Sequence, residues 1–263
     1  MKSLDAPAKI NLALVVGPQR PDGKHEVATV LQRIGLADRI SLEPGSTLEI
    51  EGFPEDTLVR DALRALASAA GVEPRWSVRI EKRIPVAAGL GGGSSDAAAA
   101  FRLANEALPE PLPDARLREL GVTLGADVPF FLTIGTQLAT GDGSELEGVE
   151  LPRDYVVLLL MPAGAVKSST ADIYATFERA DGFDDRRAAL VAAVEAGDLT
   201  ALPPNDLASS PLADELRAAG AFRADVSGAG PVMYGLFLDR EQAHATRELV
   251  AGRGDTWITT PAC

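Results

Sequence analysis

The sequence predicts an α+β fold. Three observations carry this: period-two alternation marks several strands, helical periodicity marks several helices, and the two interleave without a regular βαβ repeat. The first strand is expected over residues 8–16, where Ile10, Leu12, Leu14 and Val16 alternate with Asn11, Ala13 and Val15. Gly17-Pro18 and Pro21-Asp22-Gly23 are turn signals, and further strands are expected over 26–36, 38–43, 47–51 and 77–82. Residues 56–70 put Leu58, Ala62, Leu63, Leu66 and Ala69 on one helical face and stop at Gly71. A second helix is expected from Ser94 or Ser95 to Leu108, ended by Pro109, and a third over 114–124. Past Leu146 a strand at 155–160 precedes helices at 169–179, 185–196 and 213–219. Two strands flanking Gly228 and Gly230, a helix at 240–250 and a strand at 255–259 follow. Pro152 and the glycines at 141, 143 and 148 suggest a domain boundary near 148–154, dividing the chain into 1–150 and 151–263.

Charge narrows the function. With 263 residues the chain can bury a sizeable core, but its formal net charge is −13. A general nucleic-acid binder or an anionic-membrane binder needs a basic surface, so neither is expected. A phosphate ligand would be repelled at long range and would need local backbone donors and a few well-placed cations. The one cysteine, Cys263, has no intrachain partner, which fits a reducing cytoplasm. Asp5, Lys9 and Asn11 interrupt any signal-peptide core, and the longest apolar run, 155–166, is broken by Pro162 and Gly164 and is too short to span a membrane. A soluble protein is expected.

The most informative stretch is Pro85-Val-Ala-Ala-Gly-Leu-Gly-Gly-Gly-Ser-Ser-Asp96. Its glycines let the backbone take positive φ and approach a ligand closely. It runs into a helix whose first turn offers free N–H groups and the positive end of the dipole, an arrangement that binds phosphate without a basic surface. Ser94 and Ser95 offer helix caps or hydroxyls to a phosphate. It is not a Walker A loop, since no Gly-Lys-Ser/Thr follows, and serines stand where a dinucleotide fingerprint has its third glycine. A plain glycine-rich turn with serine caps is the competing reading.

Residues 85–100 resemble the second motif of the GHMP kinases (galactokinase, homoserine kinase, mevalonate kinase and relatives), and four further segments match in order. Ala6-Pro-Ala-Lys-Ile-Asn-Leu12 is similar to the N-terminal motif and Leu124-Gly-Ala-Asp-Val-Pro-Phe130 to the acidic one. Pro204-Asn-Asp-Leu207 fits a short signature, and Ser227-Gly-Ala-Gly-Pro231 fits the third, glycine-rich motif. With Asp22-Gly-Lys-His-Glu26, these segments look most like one branch, the 4-diphosphocytidyl-2-C-methylerythritol kinases of non-mevalonate isoprenoid (terpenoid) biosynthesis. The resemblance implies a two-domain GHMP kinase fold with the active site in the cleft between the domains. It implies ATP, with Mg²⁺, phosphorylating the 2-hydroxyl of 4-diphosphocytidyl-2-C-methyl-D-erythritol. The alternatives are a GHMP kinase for homoserine, mevalonate or a sugar, or a nucleotide-binding protein without catalysis. A small-molecule substrate, no nucleic acid or membrane partner, a cytoplasmic location and a monomer or homodimer go with the first reading.

The resemblance also assigns residues. Pro85, Val86, Ala87, Ala88, Gly89, Leu90, Gly91, Gly92, Gly93, Ser94 and Ser95 would hold the ATP phosphates. Asp127, in an otherwise apolar stretch, reads from its surroundings as a helix-end cap or structural ion pair; the resemblance makes it the base. Lys9 and Asn11 share one face of their strand, and Lys9 reads either as an exposed edge-strand lysine or, by resemblance, as the partner of Asp127. Asn11, His25, Thr170 and Tyr174 would contact the acceptor substrate, His25 and Tyr174 at its cytosine. Lys24 stands where the family has a tyrosine, and its ammonium suits a diphosphate. No metal ligand is assigned beyond a serine hydroxyl, that of Ser95, so the Mg²⁺ would be held chiefly by the phosphates.

Overall fold

The computed structural model describes residues 1–53, 57–165, 170–177 and 181–262. Asp56, Ser169 and Arg179, which the sequence sets at helix ends, and Cys263 lie outside the described residues. The chain forms two compact units, both discontinuous in sequence. The first comprises Met1–Ala8, Leu36–Val86 and Gly91–Ile134; the second comprises Lys9–Gly35, Ala87–Leu90 and Gly135–Cys263. Residues 148–154 lie within the second unit.

Two long strands, β1 (Lys2–Gln19) and β2 (His25–Pro44), pair with each other and contribute to both units. β1 runs further than the expected 8–16, and β2 joins the expected strands 26–36 and 38–43 into one, because hydrogen bonds to neighbouring strands, not side-chain pattern, set a strand's ends. In the first unit, Arg39–Pro44 of β2 pair antiparallel with β4 (Trp76–Glu81), and β4 pairs parallel with the short β3 (Glu49–Glu51). Helix α1 (Thr57–Ala70) buries Val59, Ala62, Leu63, Leu66 and Ala67 and packs on α2 (Gly92–Asn105). Of the expected face, Leu58 is only half-buried and Ala69 is exposed, because the buried stripe is turned toward Val59 and Ala67. Helix α2 is alanine-rich and buried almost all round, so small side chains let its neighbours approach closely. Helices α3 (Asp114–Leu124) and α4 (Asp127–Phe131) complete this unit, α4 packing on both α2 and α3.

In the second unit, Thr29–Leu31 of β2 pair with β5 (Thr136–Thr140), which pairs with β6 (Glu145–Val149). A separate antiparallel sheet runs in the order β10–β7–β9–β8, formed by β7 (Val156–Pro162), β8 (Arg223–Val226), β9 (Met233–Phe237) and β10 (Gly254–Thr259). β7 and β9 are central and nearly all their residues are buried, which is why 155–160 reads as a continuous apolar run. Helices α7 (Pro211–Ala218) and α8 (Arg240–Val250) cover this sheet, with Leu216, Ala243 and Val250 in its core. α5 (Thr170–Ala175) and α6 (Phe183–Glu195) lie earlier in the chain. Among the described residues no helix is long and apolar enough to cross a membrane.

Candidate active site

The glycine loop divides between the units: Ala87–Leu90 belong to the second, and Pro85, Val86 and residues 91–95 to the first. In the first unit, helix α2 begins at Gly92, two residues before the expected start, and the serines do not cap it. Gly91 is the N-cap, in the left-handed conformation at φ 71°. That sharp turn, open to glycine at little cost, lets the helix start before the first serine. The first intrahelical bond runs from Ser95 N to Gly91 O (2.9 Å), so the amides of Gly92, Gly93 and Ser94 form the open first turn. The Ser95 hydroxyl is buried and donates to Pro7 O at 2.7 Å, so it ties α2 to β1 rather than offering itself to a ligand. Asp127 is the first residue of α4, half-buried, and is anchored by Val128 and Phe130, which are fully buried behind it.

The second unit gathers Lys9 and Asn11. Lys9 is only 5% exposed, which rules out the solvent-facing edge lysine. Its Nζ donates to Asn11 Oδ1 (2.6 Å), and Asn11 Nδ2 donates to Thr29 Oγ1 (2.9 Å), whose hydroxyl passes on to Ala13 O (2.6 Å). This chain fixes the Asn11 amide with its oxygen toward the ammonium. The C-terminal glycine turn lies against the same two residues. A methyl group on Gly228, at φ +58°, would come within 3.1 Å of Asn11 Oδ1 and 3.4 Å of Lys9 Nζ.

That turn also supports the second-unit part of the glycine loop. A methyl on Gly230 would sit 2.2 Å from Ala88 O, and one on Gly89 would sit 2.3 Å from Ser227 O. Backbone lies on backbone here, and only glycine fits on both sides. Ser227 Oγ donates to Gly89 O (3.1 Å), and Val232 N donates to Ala88 O (3.3 Å). Ala87 is the one described non-glycine residue with positive φ (66°), so the loop holds a strained backbone at its centre.

The Pro-Asn-Asp-Leu signature is a brace, a role its sequence does not reveal. Asn205 Nδ2 donates to Val226 O (3.0 Å) and Gly228 O (2.7 Å), holding the glycine turn. Asp206 N donates to Leu14 O (2.9 Å), and Asp206 Oδ2 accepts from Val16 N (2.9 Å) and Arg186 Nε (3.1 Å). The strand that carries Lys9 and Asn11 is thereby fixed to the same four residues.

His25 and Tyr174 come together, with ring centroids 5.8 Å apart, and Phe177 meets His25 edge-on at 5.8 Å. His25 Nδ1 lies 2.8 Å from Gly17 O. A carbonyl only accepts, so Nδ1 carries the proton and Nε2 of the neutral ring is left as an acceptor. Tyr174 and Phe177 also pack against Leu14, Val16 and Val27, so the aromatic group is partly core. Thr170 lies in α5, but its side chain is outside the described residues. Lys24 pairs with Asp142 in the β5–β6 turn. The Lys24 hydrogen bond, then that of Ser144, lowers the Asp142 carboxyl to about 2.

Sequence reasoning missed one further group beside the loop in the first unit. Lys82 Nζ donates to Asp38 Oδ2 (2.5 Å) and Asp96 Oδ2 (2.8 Å), and both carboxylates are fully buried. Asp38 Oδ1 accepts from the backbone N–H groups of Arg83 and Ile84, at the entry to the loop. Among the described residues no group of three or more His, Cys, Asp or Glu side chains could hold a metal ion.

Comparison with known proteins identifies the family. Residues 57–135 match the GHMP kinases N terminal domain, a span that contains the loop, α2, α3 and Asp127. The chain is 40% identical to the 4-diphosphocytidyl-2-C-methyl-D-erythritol kinase of Pelobacter propionicus, covering 100% of this chain and 99% of that one. It is 37% identical to the Geobacter sulfurreducens enzyme of the same name, over 95% of each chain. A crystal structure of 4-(cytidine 5'-diphospho)-2C-methyl-D-erythritol kinase superposes over the whole of both chains with a TM-score of 0.83 at 30% identity. A mevalonate kinase structure shares the fold, with a TM-score of 0.75 at 14% identity. The chain belongs to the GHMP kinases and, among them, to the 4-diphosphocytidyl-2-C-methyl-D-erythritol kinase family.

Proposed function

We propose that this protein transfers the γ-phosphoryl group of ATP to the 2-hydroxyl of 4-diphosphocytidyl-2-C-methyl-D-erythritol, in the cytoplasm, as a step of isoprenoid precursor synthesis. The observation that carries the reading is the full-length likeness to kinases of that name, 40% identical over the whole chain in one case. The open amides of Gly92, Gly93 and Ser94 support it, because they offer phosphate oxygens fixed donors in a protein whose net charge is −13. ATP enters as its Mg²⁺ complex, in which the cation offsets charge on the phosphate oxygens.

In the transfer, the substrate oxygen forms a bond to the γ-phosphorus as the bond to the bridging oxygen of ADP breaks. Asp127 takes the hydroxyl proton, and Lys9 provides the positive charge that polarises that hydroxyl. Asn11, held by Lys9 and Thr29, presents its amide to a substrate hydroxyl. At the cytosine, His25 Nε2 accepts a hydrogen bond, which suits an exocyclic amino group, and Tyr174 supplies a ring face. Lys24, held by Asp142, offers no ring to the base, so the aromatic face comes from Tyr174.

The decisive assay supplies the purified protein with MgATP and, separately, 4-diphosphocytidyl-2-C-methyl-D-erythritol, mevalonate and homoserine, and measures ADP release. Turnover with the cytidyl substrate alone is expected. Turnover with mevalonate or homoserine alone would refute the substrate assignment, and none with any alcohol would refute the kinase reading.

A further inference from the structure

Lys82, Asp38 and Asp96 form a nearly buried cluster at the foot of α2, with one ammonium between two carboxylates. The cluster ties together three pieces of the first unit: β2 through Asp38, the entry of the glycine loop through Arg83 N and Ile84 N, and the second turn of α2 through Asp96. It lies directly against the open helix end, since a methyl on Gly92 would stand 3.3 Å from Lys82 Nζ. Burial pulls the Lys82 ammonium toward its neutral form, but the charges of Asp96 and Asp38 outweigh this and hold it protonated.

A surplus of negative charge behind an anion site works against that site. Two fully buried carboxylates so close to the Gly92 amide would cancel much of the field that the helix end offers a phosphate. Lys82 removes half of that opposition and keeps both carboxylates in place as anchors for the loop. We infer that Lys82 is a positioning and charge-balancing residue of the ATP cradle, acting on nucleotide binding through Asp96 and the first turn of α2 without serving as the phosphate's own ligand. The inference rests on the reading of that helix end as the ATP site.

Three variants test it in steady-state kinetics with MgATP and the cytidyl substrate varied in turn. Lys82→Met leaves both carboxylates opposed to the nucleotide and is expected to raise the KM for MgATP about tenfold, with a much smaller change in the KM for the alcohol. Asp96→Asn keeps the shape and the acceptor oxygen for Lys82 while removing one negative charge, so it is expected to lower the KM for MgATP about threefold. The double variant carries the wild-type cluster charge and is expected to recover most of the loss seen in Lys82→Met. A purely structural brace would be weakened by Asp96→Asn and weakened further in the double variant. An unchanged or higher KM for MgATP in folded Asp96→Asn therefore overturns the inference, even if Lys82→Met does not fold. If wild-type protein has no MgATP-dependent turnover, the ATP-site reading fails first; if it turns over and Asp96→Asn does not tighten MgATP, only the inference fails.

Discussion

At the residue scale, the chemistry assigned to this protein rests on few side chains, and each can be removed alone. Lys9→Ala and Asp127→Asn are each expected to lower kcat by about 10²-fold or more while circular dichroism stays that of the wild type. Near-normal turnover in either folded variant would remove that residue from the mechanism. Asp142 gives a pH signature of a different kind. Its folded carboxyl lies at about 2, below the ordinary value, through hydrogen bonds from Lys24 and Ser144. A depressed carboxyl adds stability that is present above about pH 4 and disappears as pH falls toward about 2. Lys24 is more than half exposed, so solvent screening keeps the effect small. The wild type is expected to melt above Asp142→Asn at pH 5, with the gap closing by pH 2. A gap that is constant with pH would deny the ion pair its role. That Lys9 and Asn11 share a face was legible because a strand puts alternate residues on one side; the hydrogen bond between them was not. Lys82 was not, because a lysine between Glu81 and Arg83 reads as a solvated charge, and its partners lie 44 and 14 residues away in the chain.

At the element scale, the sequence discloses helices and central strands far better than edges and short turns. α3 and α8 have the expected ends, since both carry full helical periodicity. β5 and β6 went unread because five-residue strands give little alternation, and β6 is largely exposed and contains Gly148. α4, with five residues, is too short for periodicity to mark it. The glycine motifs were visible as motifs, but not their contact with each other, which brings residues 88–89 against 227–230. That contact predicts a large effect from a small change. Gly230→Ala has no room for its methyl and is expected to cost about 2 kcal/mol or more in urea unfolding, with activity falling as the loop shifts. Asn205→Ala, which leaves two carbonyls without their donor, is expected to cost about 1–3 kcal/mol by the same measurement. Wild-type stability in either variant would mean the turn is not braced as described.

At the scale of the whole molecule, the net charge of −13 governs encounter with an anionic nucleotide. Added salt usually weakens the binding of a charged ligand by screening attraction; here it screens repulsion. The kcat/KM for MgATP is expected to rise about twofold between about 10 and about 150 mM NaCl. A steady fall over that range would show that local cations, and not overall charge, control the approach. The composition made this sign readable. The topology was out of reach, because the strand that carries Lys9 is finished by partners at the far end of the chain. Val16 N is bound by Asp206, Asn11 N by Ser227, and Leu12 O by the hydroxyl of Tyr234, at separations of 190, 216 and 222 residues. During synthesis the first strand therefore leaves the ribosome long before its fasteners exist. A message cut short before the codon for Asn205 would yield a protein that has Lys9 in hand and none of these three fasteners for its strand.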